Sequence, residues 1–351
     1  MSTNTEITVI GAGVIGLTSA LKLSESGYNV TIVAAHFPSD GLSPKYTSNW
    51  AGAHYRPFPS HTEKDFQDSQ LTRLTQDYFR KLSVLEPESS IRFIPGVDYV
   101  EEKGIYDVKA KGYFEEIKDL EEIPADLLPK GVQFGAQYDT WVLNSPFYLQ
   151  YLERKLRFQQ GVRFIKSDLI SLNQISEASP SSSTFINCTG LGLQYQGGYD
   201  PKCFPIRGQT LLLRVPPTCP YLKKTITHQG KDGLWTFVIP RPLNGGVILG
   251  GTKQFNDLQS TPRDSDTESL IERAKVLYPE VFFEDGTVDI QGVNVGFRPA
   301  REGGVRVEAE VIEGKRFVHA YGAGGMGFEL SYGVACKVQE IVGSPKQKSK
   351  L

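Results

Sequence analysis

The sequence predicts an α/β fold, as two domains or one large unit, and three observations predict it. Ile7–Ile10 is a short apolar run rich in β-branched residues, the pattern of a buried strand. It passes through a glycine turn into Leu17–Ser24, whose apolar residues recur at helical spacing. Asn29–Ala34 (Asn-Val-Thr-Ile-Val-Ala) is a second buried strand and completes a βαβ unit. The chain has 351 residues, 39% of them apolar, enough for more than one core.

The turn between the first strand and helix reads Gly11-Ala12-Gly13-Val14-Ile15-Gly16. Gly11 permits the tight turn, Gly13 lets backbone approach a pyrophosphate, and Gly16 lets helix and strand pack closely. That is the dinucleotide-binding fingerprint. The helix start then offers backbone N–H groups and a partial positive charge to phosphates. Dinucleotide binders commonly carry an acid about 20 residues further on, at the end of the second strand. Val33, Ala34, Ala35 and His36 stand there instead. The departure weakens a nicotinamide reading, and Ala35 and His36 are the candidate contact positions at this end.

Composition removes several classes. With 38 basic and 40 acidic residues the net charge is −2, so no nucleic-acid partner is expected. No apolar run approaches a membrane span, and no basic leader precedes the first strand, so neither membrane insertion nor secretion is expected. Cys188, Cys203, Cys219 and Cys336 are scattered and read as thiols. Five histidines without close spacing give no metal site. Ser349-Lys350-Leu351 is the peroxisomal address, and the polar tail Ser344–Lys350 would carry it to an import receptor. Peroxisomes house oxidases that release hydrogen peroxide, so the expected compartment favours an oxidase.

Tyr46–Phe58 is too polar and glycine-broken for a core strand. Its small residues (Ser48, Ala51, Gly52, Ala53) suit a flat ligand, and Trp50, Tyr55 and Phe58 could wall a pocket. Together with the opening fingerprint, this stretch resembles the flavin-contacting segment of the D-amino-acid oxidase and D-aspartate oxidase family. Three later stretches carry the same resemblance. Phe204-Pro-Ile-Arg-Gly-Gln-Thr210 is similar to the family's P-x-R-G-Q strand, Phe237-Val-Ile-Pro-Arg-Pro242 to its Y-I-I-P-R-P segment, and Val295-Gly-Phe-Arg-Pro-Ala-Arg301 to its G-L-R-P-x-R segment. The matches run in family order from residue 7 to about 340. The resemblance implies non-covalent FAD, and a Rossmann-type FAD-binding domain interleaved with a mixed-sheet α+β substrate domain. The expected FAD-binding domain takes residues 1–50, 146–205 and 296–343. The substrate domain takes 51–145 and 206–295, with 344–351 as the targeting tail.

Further elements follow in order. Phe66–Leu85 has apolar positions at helical spacing, and Ile91–Gly135 alternates short strands with charged turns. Pro146–Gln159 is an amphipathic helix with proline suited to its first turn. Val162–Ile165 is a short strand, and Ser176–Ser183 is a Ser-rich loop expected to be exposed and mobile. Phe185–Gly192 is a strand ending in Thr189-Gly190, a second place for backbone to approach a cofactor. Gly208–Val215 and Phe237–Gly250 are strands. Thr225–Trp235 resembles the family's active-site lid. Glu268–Tyr278 is helical, and Val288–Gly296 leads to the arginine segment. Val305–Glu310 and Arg316–Ala320 alternate like edge strands. Gly322, Gly324, Gly325 and Gly327 then precede a helix to Val342. In the family this turn lies at the flavin's pyrimidine edge, where a helix start stabilises negative charge. The expected cofactor contacts are therefore Gly11–Gly16, Ala35, His36, Thr47, Ser48, Ala51, Gly52, Thr189, Gly190, Gly324, Gly325, Met326, Gly327, Phe328 and Glu329.

The resemblance implies oxidative deamination of D-amino acids by hydride transfer from Cα to flavin, with molecular oxygen as reoxidant and 2-oxo acid, ammonia and peroxide as products. Arg298 is the expected carboxylate clamp, because a planar guanidinium takes both oxygens at once. Arg301 and Arg241 read as structural. Placement governs hydride transfer, so no Ser/His/Asp or Cys/His set is needed. Two positions depart from the family. Phe237 replaces a tyrosine whose hydroxyl helps hold the carboxylate. Lys253, in Gly-Gly-Thr-Lys-Gln254, stands where animal D-aspartate oxidases have arginine. With His54 and Arg56 adding positive charge beside Phe58, acidic substrates (D-aspartate, D-glutamate) are favoured. Glu329, where a yeast-type relative has glutamine, argues for neutral ones. A nicotinamide dehydrogenase and a non-catalytic flavin protein are the competing readings. Oligomeric state is left open.

Overall fold

The computed structural model describes residues 5–344. The expected targeting tail, apart from Ser344, lies outside them. In chain order they form β1 (Glu6–Ile10), α1 (Val14–Glu25), β2 (Asn29–Ala34), α2 (Glu63–Leu85), β3 (Arg92–Val100), β4 (Glu121–Glu122) and β5 (Phe134–Val142). Next come α3 (Ser145–Arg154), β6 (Arg163–Lys166), α4 (Ile175–Ala178), β7 (Thr184–Asn187), β8 (Cys203–Arg214), β9 (Thr225–Gln229), β10 (Trp235–Pro240) and β11 (Val247–Gly250). The last are β12 (Gln254–Phe255), α5 (Asp264–Leu277), β13 (Asp289–Arg301), β14 (Arg306–Ile312), β15 (Lys315–Tyr321) and α6 (Gly327–Gly343). Among the described residues no helix is long and apolar enough to cross a membrane, and no cluster of His, Cys, Asp and Glu could hold a metal ion.

The chain divides into two compact units. The first takes residues 1–49, 149–205 and 298–351, and the second takes 50–148 and 206–297. The first unit is built on a six-stranded sheet in the order β14-β15-β7-β1-β2-β6, with β14 antiparallel to β15 and the other pairs parallel. β1 and β2 are buried at nearly every position because a parallel sheet is covered on both faces. Ile10, Val33, Phe185 and Phe317 meet in its core. β14 is the edge strand, as its alternation predicts. β15 is interior, and its buried positions from Phe317 to Tyr321 reflect that.

The Ser-rich stretch does not hang free. Ile175–Ala178 is helical, Ser179 is buried, and the Ser179 and Ser182 hydroxyls reach Thr8 Oγ1 at 2.6 and 2.7 Å. A buried threonine on the first strand needs hydroxyl partners, and these serines provide them. The expected exposed loop is thus a docked one. The helix predicted to Gln159 changes register instead, ending as α3 at Arg154 and passing into a π-helical turn, Lys155–Gln159.

The second unit carries a mixed nine-stranded sheet, ordered β12-β8-β11-β10-β9-β3-β5-β4 with β13 also on β8. Leu211, Val238, Leu249 and Tyr278 lie in its core. α2 begins at Thr62 with a reciprocal capping box to Asp65. Where short strands were expected after Ile91, β3 runs nine residues and pairs along its length with β5. The stretch resembling a lid is a hairpin. β9 pairs with β10, and Gly230–Leu234 closes the turn through Gly230 N–H to Leu234 C=O at 2.9 Å.

Candidate active site

In the first unit three glycine corners come together. Gly11 has φ +99°, and a Cβ on it would lie 2.5 Å from the Cys188 carbonyl oxygen. A Cβ on Gly16 would lie 2.0 Å from the Gly11 carbonyl oxygen, so only glycine lets α1 start this close to β1. Gly13 caps α1 without a side-chain hydrogen bond and the first turn holds no acid, a helix start that suits an anion. Ser48 Oγ accepts from Val14 N–H at 3.1 Å, and the buried Tyr46 hydroxyl donates to Ala12 C=O at 2.6 Å. Thr47 and Ser48 lie in the short helical turn Thr47–Trp50. Spacing gave no signal for the contribution of Tyr46.

The second corner, Thr189-Gly190, is tied through flanking backbone to the segments that lead into both others. Cys188 N–H donates to Ile10 C=O at 2.8 Å, and Gly322 N–H donates to Gly190 C=O at 2.9 Å. The third corner, Gly324–Met326, leads into α6, and a Cβ on Gly327 would meet Val14 at 3.6 Å. Phe328 and Glu329 are buried in the first turn of α6, where backbone N–H groups favour the Glu329 carboxylate. Arg298 follows on β13. A Cβ on Gly325 would lie 3.7 Å from its Cδ, so its side chain runs beside the third corner. Burial pulls its pKa below the ordinary guanidinium value. Arg301 is structural, with its Nε 2.9 Å from Asp200 Oδ2. Ala35 and His36 follow β2, half-buried.

Ala51 and Gly52 belong to the second unit and are fixed by carbonyl contacts. Arg241 Nε donates to Gly52 C=O at 3.0 Å and its Nη2 to Ala51 C=O at 2.7 Å, while burial pulls its pKa down to about 10. The expected structural role of Arg241 is therefore visible: it holds this glycine segment in shape. Arg207, in the P-x-R-G-Q strand, is fully buried, and its donors reach Gln209, Gln254, Asp266 and the carbonyls of Gln259 and Thr261. It anchors the segment that follows Lys253.

Two expected charges need correction. His54 is not cationic. Burial, with Arg56 second, pushes its pKa down to about 3. Its Nδ1 lies 3.0 Å from Thr225 Oγ1, whose own hydrogen goes to Val238 C=O at 3.0 Å. The threonine oxygen must therefore accept, which puts the imidazole proton on Nδ1. Arg56 is cationic but does not offer a net positive wall. It is buried, its Nε lies 2.9 Å from the fully buried Asp98, and Tyr138 also donates to that carboxylate. Its Nη2 reaches Tyr106, which shares hydrogen bonds with Gln229. The guanidinium carbon lies 4.5 Å from the Phe58 ring centre and 4.7 Å from that of Trp235, and those two rings stack at 5.7 Å. Asp98, Tyr106 and Trp235 were not singled out in the sequence, since no motif links residues this far apart.

Phe237 packs edge-in over Gly250 and Gly251, where an added Cβ would meet its ring at 2.2 and 3.0 Å. Lys253 is exposed after that glycine pair, its Nζ 5.9 Å from the Trp235 ring centre and 5.4 Å from that of Phe255.

The family model for FAD-dependent oxidoreductases matches residues 6–340. The chain is 36% identical to a D-aspartate oxidase of Talaromyces thermophilus, covering 96% of this chain and 94% of the relative. It is also 36% identical to a D-amino-acid oxidase of Schizosaccharomyces pombe, covering 94% of each. The chain belongs to the D-amino-acid oxidase and D-aspartate oxidase family. Its cofactor is FAD, as the family description states, and it is an enzyme of the FAD-dependent oxidoreductase type. Solved structures at lower identity share the fold. One is a glycine oxidase of Bacillus cereus (16% identity, TM-score 0.72, 99% of each chain). Another is an L-α-glycerophosphate oxidase of Mycoplasma pneumoniae with FAD bound (14%, TM-score 0.73, 99% of this chain and 97% of that chain). The start of α1 fits such a group, because Gly13 caps it without a side chain and its first turn carries no acid to oppose a pyrophosphate.

Proposed function

We propose that this enzyme carries out oxidative deamination of D-amino acids, with acidic ones, D-aspartate and D-glutamate, preferred. The overall reaction takes a D-amino acid, water and dioxygen to a 2-oxo acid, ammonia and hydrogen peroxide. Bound FAD supplies the two-electron acceptor for the Cα hydride. Gly11–Gly16, Thr189, Gly190 and Gly324–Glu329 would hold it by backbone and helix starts. Arg298 binds the substrate carboxylate through paired N–H donors and so orients Cα. Lys253 takes the side-chain carboxylate as a point charge.

The observation that carries the acidic preference is Lys253, an exposed cation beside Trp235 and Phe255 in a unit where Arg56 is already matched by Asp98. The D-aspartate oxidase named above, at 36% identity, supports the same reading. A second reading, neutral D-amino acids, draws on Glu329, a buried carboxylate, and on the S. pombe relative. Peroxide release over a panel of D-amino acids tests both. The acidic reading expects kcat/KM for D-aspartate above that for D-alanine, and Lys253→Ala should reverse the order. Equal or better turnover of D-alanine by the unaltered enzyme overturns it. The peroxisomal matrix is the proposed compartment, reached through Ser349-Lys350-Leu351. Deleting that tripeptide should leave a fluorescent fusion outside peroxisomes.

A further inference from the structure

A buried relay in the first unit ends on the second glycine corner. Asn187 lies at the end of β7, in register with His319 on β15. Leu193 N–H donates to Thr189 Oγ1 at 2.7 Å, so the threonine hydrogen goes to Asn187 Oδ1 at 2.8 Å. Asn187 Nδ2 donates to Leu193 C=O at 2.9 Å and also lies 3.2 Å from His319 Nδ1. An amide nitrogen can only donate, so His319 Nδ1 must be a bare acceptor. The proton is then on Nε2, which lies 2.9 Å from Glu310 Oε2. The orientation of every group in the chain follows from its neighbours. The ring is also packed, stacked with Phe317 and edge-on to Tyr321.

We propose that His319, held as this one neutral tautomer, is a positioning residue for FAD binding: through Asn187 it fixes Thr189 and the Gly190 corner. The inference rests on the reading of Thr189-Gly190 as a cofactor contact. A second proton would have to go on Nδ1, directly facing an Asn187 N–H. The amide would then lose an acceptor and the corner its support. The titratable groups facing the ring are Arg306, Glu308 and Glu310 from β14 and Tyr321 from its own strand. Burial and Arg306 favour the neutral ring, while Glu310 and Glu308 oppose them less strongly.

The test measures the FAD dissociation constant between pH 7.5 and 5.5, alongside the thermal midpoint of the flavin-free protein. For the unaltered enzyme, binding should stay level down to about pH 6.5, the ordinary imidazole value, and weaken only below it. His319→Gln keeps an acceptor and a donor without titrating, and should bind FAD with a flat pH profile. His319→Phe keeps the ring but loses both bonds, and should bind about tenfold more weakly at every pH. Thr189→Val and His319→Phe together should cost less than the sum of the two single losses, since both act through one corner. A folded His319→Phe protein with unchanged FAD affinity and only a lower midpoint overturns the proposal. So does a His319→Gln profile as steep as that of the unaltered enzyme, which decides the matter if His319→Phe does not fold. Failure of the unaltered protein to bind FAD would instead remove the cofactor reading beneath it.

Discussion

The glycine corners expected to touch cofactor in the first unit act through bare backbone, whereas the residues around the expected substrate position in the second unit act through side chains. Gly11 and Gly16 matter because any Cβ would strike backbone at 2.5 Å or less. Arg56, Asp98, Tyr106 and Trp235 matter because charge and rings from distant strands meet there. Backbone sites tolerate almost no substitution, since the clash cannot be relieved by a rotamer. Side-chain sites tolerate substitution when a partner is replaced in kind, and punish the removal of one member of a pair.

The largest expected effect breaks the backbone half. Gly16→Val would place carbon inside the Gly11 carbonyl, and the protein should emerge without flavin absorbance even where circular dichroism shows it folded. Retained flavin would mean that the corners are not the cofactor's cradle. Arg298 is the next step down. Arg298→Lys keeps charge but loses the paired donors, so kcat/KM should fall about a hundredfold with flavin content unchanged. A similar kcat/KM in both proteins would return Arg298 to a structural role beside Gly325.

The third effect falls on the second unit alone. Asp98→Asn leaves Arg56 buried without its anion, which costs about 3–5 kcal/mol in stability. Exchanging both, Arg56→Met with Asp98→Leu, should recover most of that loss, because buried pairs often give way to apolar residues at little cost. A single Asp98→Asn variant as stable as the parent would show that the Tyr106 hydroxyl and the Phe58 and Trp235 rings suffice to hold the guanidinium.

This contrast also explains what the sequence made legible. A glycine corner is a local event, three residues flanked by a strand and a helix, so Gly11–Gly16 stood out at once. The Arg56–Asp98 pair spans 42 residues and joins a loop to β3, and the contact of Arg56 with Trp235 brings in a second strand, β10. No periodicity encodes such meetings, so His54 and Arg56 looked like free charges. Only the neighbours reveal a neutral imidazole and a matched guanidinium. The Ser-rich stretch failed for the same reason: its composition is that of a loop, but Thr8, some 170 residues earlier, needed its hydroxyls. Arg298 was legible only through resemblance to the family segment, since an isolated arginine on a strand carries no local signature.

The smallest expected effect sharpens the comparison by using one histidine from each unit. His54 and His319 are both held neutral, with folded pKa values below the ordinary imidazole value, His54 down to about 3. Above about pH 6.5 the ring is neutral in the folded and unfolded chain alike, and the full stability is present. As pH falls below that, the unfolded chain takes up protons that the folded chain refuses. Stability therefore declines, by at most about 1.4 kcal/mol per pH unit for each ring. For His54 the decline continues until pH nears 3, where the folded ring also protonates. His54→Gln should flatten its share of the curve and leave FAD affinity untouched, since its contacts are with Thr225 in the second unit. His319→Gln should flatten the other share and also remove the pH dependence of FAD binding. Denaturant midpoints from pH 7.5 to 4.5 for the parent, both single variants and the double variant would separate the two. If His54→Gln changed the FAD profile and His319→Gln did not, the division of labour between a backbone-built half and a side-chain-built half would have to be reversed.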